Sequence, residues 1–356
     1  MAERPQGEAD ADQAVRTSIV ALQRGQHLGR SEAAELMGRI IDGSVGAVPL
    51  AALLTTYQVV LPQLDELVGF SSALRRAATR LPRCPIADLD VCGTGGAPVK
   101  SFNVSTTVAF VAAAAGCTVA KHGNRASSSG CGSADVLEAL GFPLQIPPAG
   151  AVRLLQSCGV TFLFAPSFHG GVRHAAEVRK GLASPTLFNL LGPLAHPLGA
   201  RTQLVGVFSP ALVETMAAAV IALGAERVMA VHGAPGLDEA STLGQNQVSL
   251  QTAQSSTTLE VPPPWPCRPS DTPTEIGPLP PKVAAAMVRS ILGGEHLESP
   301  RSRMVQFNGA MALVAAARCR TIDEGVARAG EILASGVALE LLDRFLAEAQ
   351  RRGEAP

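Results

Sequence analysis

The sequence predicts an α/β protein: a small all-helical N-terminal domain, then a larger α/β domain with a mainly parallel central sheet flanked by helices. Three observations carry this. Residues 13–80 read as consecutive helices, with apolar residues at helical spacing. After Leu81-Pro82-Arg83-Cys84-Pro85 the texture changes, and strands alternate with helices to about residue 250, the pattern of a sheet covered on both faces. Two glycine- and hydroxyl-rich loops, about 30 residues apart, each follow a strand and open a helix. That places both at the carboxyl ends of strands, where such sheets bind ligands.

Residues 1–12 are polar and acidic and read as a disordered tail. A helix is expected over 13–26, with Val15, Ile19 and Leu22 on one face. Ser31 is placed as the N-cap of a helix over 32–41 that Gly43 ends, Pro49 opens a helix through Val60, and 63–80 holds one or two more. This unit, 13–80, offers apolar faces as a candidate dimer contact. The α/β domain is expected over 85–348, with helices around 170–190 packing against the helical unit. Its strands are placed at 86–91, 118–121, 160–164, 202–208 and 227–232, with helices between them at 151–157 and 210–223. Residues 252–281 are rich in Pro, Ser and Thr and read as loop or irregular strands, with Trp265 as a packing residue; 282–347 reads as helical.

Composition excludes several classes. Apolar residues make up 47% and charged residues 17% of the 356, which suits a globular core. A net charge of −1 gives no support to nucleic-acid binding by bulk charge. The seven cysteines form no C-x-x-C pair, which argues for reduced thiols in a cytoplasmic setting. The polar N-terminus is unlike a signal peptide, and the longest apolar run, 108–120, is too short to cross a bilayer.

The two loops carry the chemistry. The first runs Gly93-Thr94-Gly95-Gly96 and on through Ser101-Phe102-Asn103-Val104-Ser105-Thr106 into an alanine-rich helix; the second spans 123–133. Glycines permit close backbone approach, helix N-termini attract anions, and Lys121 and Arg125 add positive charge. Together they read as a site for a ligand with two phosphate-bearing ends. The generic motifs fail: G-x-G-x-x-G meets Pro98, and a P-loop ending at Lys100 meets Val99. Downstream, Asp238-Glu239 in a glycine-bounded loop suits a hard divalent cation.

These residues resemble the anthranilate phosphoribosyltransferase family, which carries G-T-G-G-D-G, N-I-S-T and K-H-G-N-R-A-x-S-S-x-x-G-S-A-D-V-L-E-A-L-G. Here the segments read GTGGAP, NVST and KHGNRASSSGCGSADVLEALG. A later block keeps Arg179, Thr186, Phe188, Asn189 and Leu191-Gly192-Pro193-Leu194, and Phe307-Asn308-Gly309-Ala310 matches the start of a late helix. The resemblance covers about 13–348 and implies a reaction: anthranilate plus phosphoribosyl pyrophosphate (PRPP) gives N-(5-phosphoribosyl)anthranilate and pyrophosphate, in tryptophan biosynthesis.

By the same resemblance, PRPP is held by Gly93, Gly96, Ser101, Asn103, Val104, Ser105, Thr106, Lys121, His122, Gly123, Asn124, Arg125, Ala126, Ser127, Ser128, Ser129 and Ser133. Anthranilate falls to Gly93, His122, Asn124, Arg179 and Pro193, with Arg179 on its carboxylate. Ser105, Asp238 and Glu239 are the metal contacts, for up to two Mg²⁺ ions. No general base stands out; His122 is a candidate, or orients the amine, and His169, His174, His196 and His232 are read as structural. A homodimer is implied. Five positions depart from the family: Ala97 replaces an acid that helps bind the metal-bound substrate, Pro98 a glycine, Pro185 an arginine, and Gly170-Gly171 a Pro-Ala pair after His169. Two competing readings are a pyrimidine nucleoside phosphorylase of the same fold and a non-catalytic nucleic-acid-binding relative. The intact KHGNRA and FNLLGPL segments argue against the first; the charge and the retained Lys121, Asn124, Arg179 and Asp238-Glu239 argue against the second.

Overall fold

The structure, a computed structural model, describes residues 6–82, 87–126 and 130–353. The N-terminal unit is four helices: α1 (Gln6–Gln23), α2 (Arg30–Ile41), α3 (Ala47–Val59) and α4 (Leu64–Ala77). Two expectations need correction here. The tail read as disordered is helical from Gln6, because Ala11 is buried and Asp12 accepts the Gly46 N–H at 2.7 Å, which ties the acidic segment down. Ser31 lies inside α2; the cap position is Gly29, whose N–H donates to Glu32 Oε2 at 2.7 Å. Residues 1–5 lie outside the described residues.

A seven-stranded sheet has the order β3-β2-β1-β4-β5-β6-β7. Its strands are β1 (Ala87–Gly93), β2 (Val119–Gly123), β3 (Val160–Phe164), β4 (Ala200–Gly206), β5 (Arg227–Gly233), β6 (Asn246–Thr252) and β7 (Ser256–Val261). The first five pair in parallel, and β6 and β7 join antiparallel. The expected start of the first strand at Ile86, and residues 83–85 of the linker before it, lie outside the described residues. β6 was not anticipated, and β7 makes regular what reads as irregular. Connections from β1 run one way to β2 and β3, and the later strands β4 and β5 lie on its other side. The gap between β1 and β4 is therefore the switch point where open α/β sheets place ligands.

Alternation along the strands splits the core. Leu204, Met229 and Val231 face one side, with α5 (Val104–Ala114) and the C-terminal helices α12 (Pro281–Leu292), α13 (Pro300–Ala315), α14 (Ile322–Ala334) and α15 (Val337–Gly353). Val205, Val228 and Ala230 face the other, against α10 (Leu187–Leu194), α11 (Val213–Ala222) and the N-terminal helices. The helical unit is pinned there by Arg75, whose guanidinium donates to Leu194 O (2.6 Å) and Leu223 O (2.8 Å). Among the described residues, no helix is long and apolar enough to cross a membrane.

Candidate active site

Loops from β1, β2 and β5 meet at the carboxyl edge of the sheet. β1 ends at Gly93, and the chain turns through Gly95 and Gly96 with φ of +65° and +79°, which glycine adopts without strain. A Cβ on Gly96 would also lie 2.9 Å from the Pro185 side chain. The turn is tied to β4: Thr94 N–H donates to Gly206 O (2.8 Å), and Phe208 N–H donates to the Thr94 hydroxyl (3.1 Å). Asn189 of α10 donates to Thr94 O at 3.3 Å.

The acidic loop after β5 closes on this turn. Gly95 N–H donates to Asp238 Oδ2 at 2.6 Å, and the Ser101 hydroxyl donates to Glu239. Burial pushes the Asp238 carboxyl up. It pushes Glu239 well up, and the Asp238 charge adds to that; Lys100 and the two hydrogen bonds pull the other way. Two crowded carboxylates that resist ionising together are relieved by a divalent cation, and their oxygen donors suit Mg²⁺. Among the described residues no group of three or more His, Cys, Asp or Glu could form a metal cage, so such an ion needs further oxygens from a ligand.

β2 brings Lys121 and His122. Lys121 Nζ donates to Val91 O (2.6 Å) and the Ser105 hydroxyl (3.1 Å), and burial lowers its pKa against the opposing charges of Asp90, Cys92 and Glu239. His122 Nδ1 lies 3.2 Å from Gly192 O. A carbonyl only accepts, so Nδ1 carries the proton and Nε2, buried without a partner, is an acceptor. Burial first, and then the nearby His196 and His169, hold His122 well below the usual imidazole range. Those two rings stand edge-on to it at 5.8 and 5.3 Å. His174 packs away from these rings, against Gly43, while His232, which contacts Val207 O at 2.8 Å, lies close enough to Asp238 for its charge to oppose the rise of that carboxyl.

The start of α5 faces the same space. Asn103 Nδ2 donates to Cys131 O (3.2 Å), linking the two loops, while Asn103 Oδ1 and the Thr106 hydroxyl are buried without protein partners. In the second loop, Asn124 O accepts from Ala134 N–H (3.1 Å) and the Ser133 hydroxyl (3.2 Å), and a Cβ on Gly123 would meet the Phe162 ring at 2.7 Å. Ala126 N–H donates to Asp135 at 2.9 Å. Arg125 is committed to Asp135 (2.9 Å) and, bidentately, to Glu138 (2.8 Å twice). Ser127, Ser128 and Ser129 lie outside the described residues. Arg179, on α9 (Ala176–Leu182), stacks over the Phe188 ring at 5.1 Å; burial lowers its pKa, and among the described residues no carboxylate pairs with it.

Two family models cover most of the chain: "Glycosyl transferase family, helical bundle domain" over residues 16–78, and "Glycosyl transferase family, a/b domain" over 87–339. The anthranilate phosphoribosyltransferase of Moorella thermoacetica is 40% identical over 94% of this chain and 98% of its own length. That of Desulfosudis oleivorans is 42% identical over 87% and 89%. This chain belongs to the anthranilate phosphoribosyltransferase family. Solved structures agree: the Thermus thermophilus anthranilate phosphoribosyltransferase superposes with TM-score 0.84 at 39% identity, covering 95% of this chain and 99% of that one. The Saccharomyces cerevisiae anthranilate phosphoribosyltransferase in complex with PRPP and Mg gives 0.82 at 25%, covering 95% and 98%.

Several residues that build this anthranilate phosphoribosyltransferase site were not singled out by sequence. Asp90 accepts from His122 N–H (3.2 Å) and Gln203 (3.1 Å), and Gln203 also donates to Pro193 O (3.0 Å), so β1, β2, β4 and α10 are fastened behind the loops. An acid within an apolar strand, three residues before a glycine turn, is the signal that could have marked Asp90. Lys100 carries no sequence signal beyond a P-loop pattern that fails at Val99, yet its charge bears on both Asp238 and Glu239.

Proposed function

We propose that this chain transfers the phosphoribosyl group of PRPP to the amine of anthranilate, releasing pyrophosphate, in tryptophan biosynthesis. The observation that carries the reading is the closure of the Gly93–Gly96 turn onto Asp238 and of Ser101 onto Glu239, with the charge of buried Lys121 acting on Glu239. Arg179, stacked over Phe188 and without a carboxylate partner among the described residues, supports the acceptor side of the reading.

On this reading the two glycine loops hold PRPP through backbone N–H groups, the orphan Asn103 and Thr106 side-chain oxygens, and Lys121. Asp238 and Glu239, with Ser105, hold Mg²⁺. Bound Mg²⁺ supplies charge neutralisation at the departing pyrophosphate. Up to two ions would accompany PRPP, and with Ala97 in place of the family's acid the chain would offer them one carboxylate fewer. Arg179 takes the anthranilate carboxylate in its planar fork, steadied by Phe188. His122, neutral and with Nε2 free to accept, orients the amine; a pKa so depressed makes it a poor base. The amine attacks the anomeric carbon as pyrophosphate leaves, through an oxocarbenium-like transition state, so the protein's work is positioning and charge stabilisation. We further place the enzyme in the cytoplasm as a homodimer through the helical unit (13–80), where Val48 and Val59 of α3 are 82% and 83% exposed.

The test is loss of anthranilate fluorescence on mixing with PRPP and Mg²⁺. Arg179→Ala will raise the anthranilate KM by about 10- to 100-fold, the worth of a charge-assisted hydrogen bond, and leave the PRPP KM within twofold. A folded wild type that turns over no anthranilate, or a variant with unchanged anthranilate KM, overturns the reading or its acceptor site respectively.

A further inference from the structure

We propose that Asn308 and Arg303 of α13 are positioning residues that set the spacing between the two walls of the metal and pyrophosphate site. The proposal rests on the phosphoribosyl-transfer reading given above. One wall is Ser101–Asn103; the other is Asp238–Glu239. Both are loop: the Ser101 hydroxyl joins them directly by donating to Glu239, and α13 supplies a rigid reference outside both.

Asn308 fixes the acidic wall. Its Oδ1 accepts the N–H of Ala240, the residue after Glu239, at 2.9 Å, and its Nδ2 donates to the carbonyl of the same residue at 2.7 Å. Nδ2 also donates to Met304 O at 2.9 Å, which locks the amide onto the helix. An amide that closes two bonds on a single loop residue sets both its distance and its rotation.

Arg303 fixes the other wall through a relay. It is fully enclosed, with Nη1 donating to Asp271 (3.0 Å), Nη2 donating to Pro266 O (3.2 Å) and its plane 4.9 Å from the Trp265 ring. Asp271 also accepts the Arg268 N–H at 2.7 Å, which rigidifies this proline-rich segment. Five residues on, the carbonyl of buried Ile276 accepts the N–H of Phe102 at 2.9 Å. The relay Arg303–Asp271–Ile276–Phe102 therefore ends beside Ser101, the residue that donates to Glu239.

Asn308 and Arg303 are five residues apart, about 7.5 Å along one helix, so both walls are referenced to a single rigid element. A buried ion pair is a costly way to hold a segment, and well-packed apolar side chains of similar volume would hold it as firmly. What directed bonds add is registration, and a site for a metal-bound pyrophosphate needs registration more than adhesion.

The experiment compares wild type, Asn308→Ala, Arg303→Met and Arg303→Lys. Steady-state KM is measured for PRPP and for anthranilate, and calorimetry measures binding of magnesium pyrophosphate without turnover. Asn308→Ala and Arg303→Met will weaken pyrophosphate binding and raise the PRPP KM by about tenfold, with the anthranilate KM within twofold. Arg303→Lys, which keeps the charge on Asp271, will recover part of the loss and decides the matter if the harsher variants do not fold. Equal loss for both substrates, or a lowered melting temperature with unchanged pyrophosphate binding, overturns the proposal. If the folded wild type has no turnover, the functional reading fails, and the calorimetric comparison still decides the positioning.

Discussion

Replacing Gly93 by alanine probes how closely Asp238 must approach the glycine turn. The new Cβ would lie 2.6 Å from Asp238 Oδ2, 3.1 Å from its carbonyl oxygen and 3.3 Å from its Cγ. To reach a tolerable 3.0 Å, the carboxylate oxygen must retreat by about 0.4 Å. The same oxygen accepts the Gly95 N–H at 2.6 Å, so the retreat stretches a charge-assisted hydrogen bond. Losing most of such a bond costs about 1.5–3 kcal/mol, or roughly 10- to 100-fold in kcat/KM for PRPP. Little global stability should be lost, because a side chain absorbs the shift and the φ of Gly93 lies outside the positive range. The assay is anthranilate fluorescence decay at saturating anthranilate, alongside a thermal melt. Gly38→Ala on α2 is the control: nothing lies within 4 Å of its added Cβ, so activity is unchanged and stability rises by about 0.5 kcal/mol. A Gly93→Ala enzyme with wild-type kcat/KM would refute the claim that the acidic pair works in contact with this turn.

Two further outcomes follow from buried groups. Glu66 is enclosed in the helical unit and accepts from Tyr57 Oη (2.7 Å), Leu28 N–H (3.1 Å), Gln63 N–H (2.8 Å) and His27 (2.7 Å), so Glu66→Ala will cost roughly 3–5 kcal/mol in urea unfolding and leave kcat unchanged at low temperature; a loss under 1 kcal/mol would refute the hub. His122, His169 and His196 all have pKa values lowered by burial, so below pH 6.5 the unfolded chain binds more protons and stability falls as pH falls, by up to about 1.4 kcal/mol per pH unit for each group. His196→Asn removes one of them, and an identical slope in the variant and the wild type between pH 7.5 and 5.5 would sink that account.

What the sequence made legible was local. The glycine turn, the KHGNRA loop and the Asp238-Glu239 pair each carry their signal in adjacent residues, and β3 falls where its short apolar run predicts. Other features depend on atoms remote in the chain. Asn308 and Gln203 work through backbone groups 68 and 10 residues away, and no local pattern announces a buried amide's partner. β6 mixes Ser, Gln and Asn with its apolar residues, and β7 is exposed almost throughout, so neither shows the apolar alternation that marks a half-buried strand. His169 and His196 read as structural histidines with no pattern linking them, and the fold sets both edge-on to His122. Arg125, read as a phosphate ligand, is held by two acids 10 and 13 residues onward, one turn apart on the helix that follows the loop, a pairing that no local pattern around Arg125 announces.

Ala97, Pro98 and Pro185, three of the departures from the family pattern, lie together around the glycine turn. Pro185 packs against Gly96, and Pro98 packs against Gly236, where an added Cβ would lie 2.8 Å from its ring. Val99 N–H donates to Gly236 O at 3.1 Å, and Ala97 is buried between these contacts in sequence. From the helical unit, Gln58 donates to Pro185 O and to the Ser184 hydroxyl, both at 2.8 Å. Where the family pattern has an acid, a glycine and an arginine, this chain has three apolar residues, two of them with fixed φ. A turn with fewer accessible conformations loses less entropy when a ligand orders it. On the proposed reading, the cation contact given up at Ala97 is offset by preorganisation of the turn that Asp238 and Glu239 already hold. The changes at 97, 98 and 185 are then parts of one solution, in which rigidity substitutes for charge.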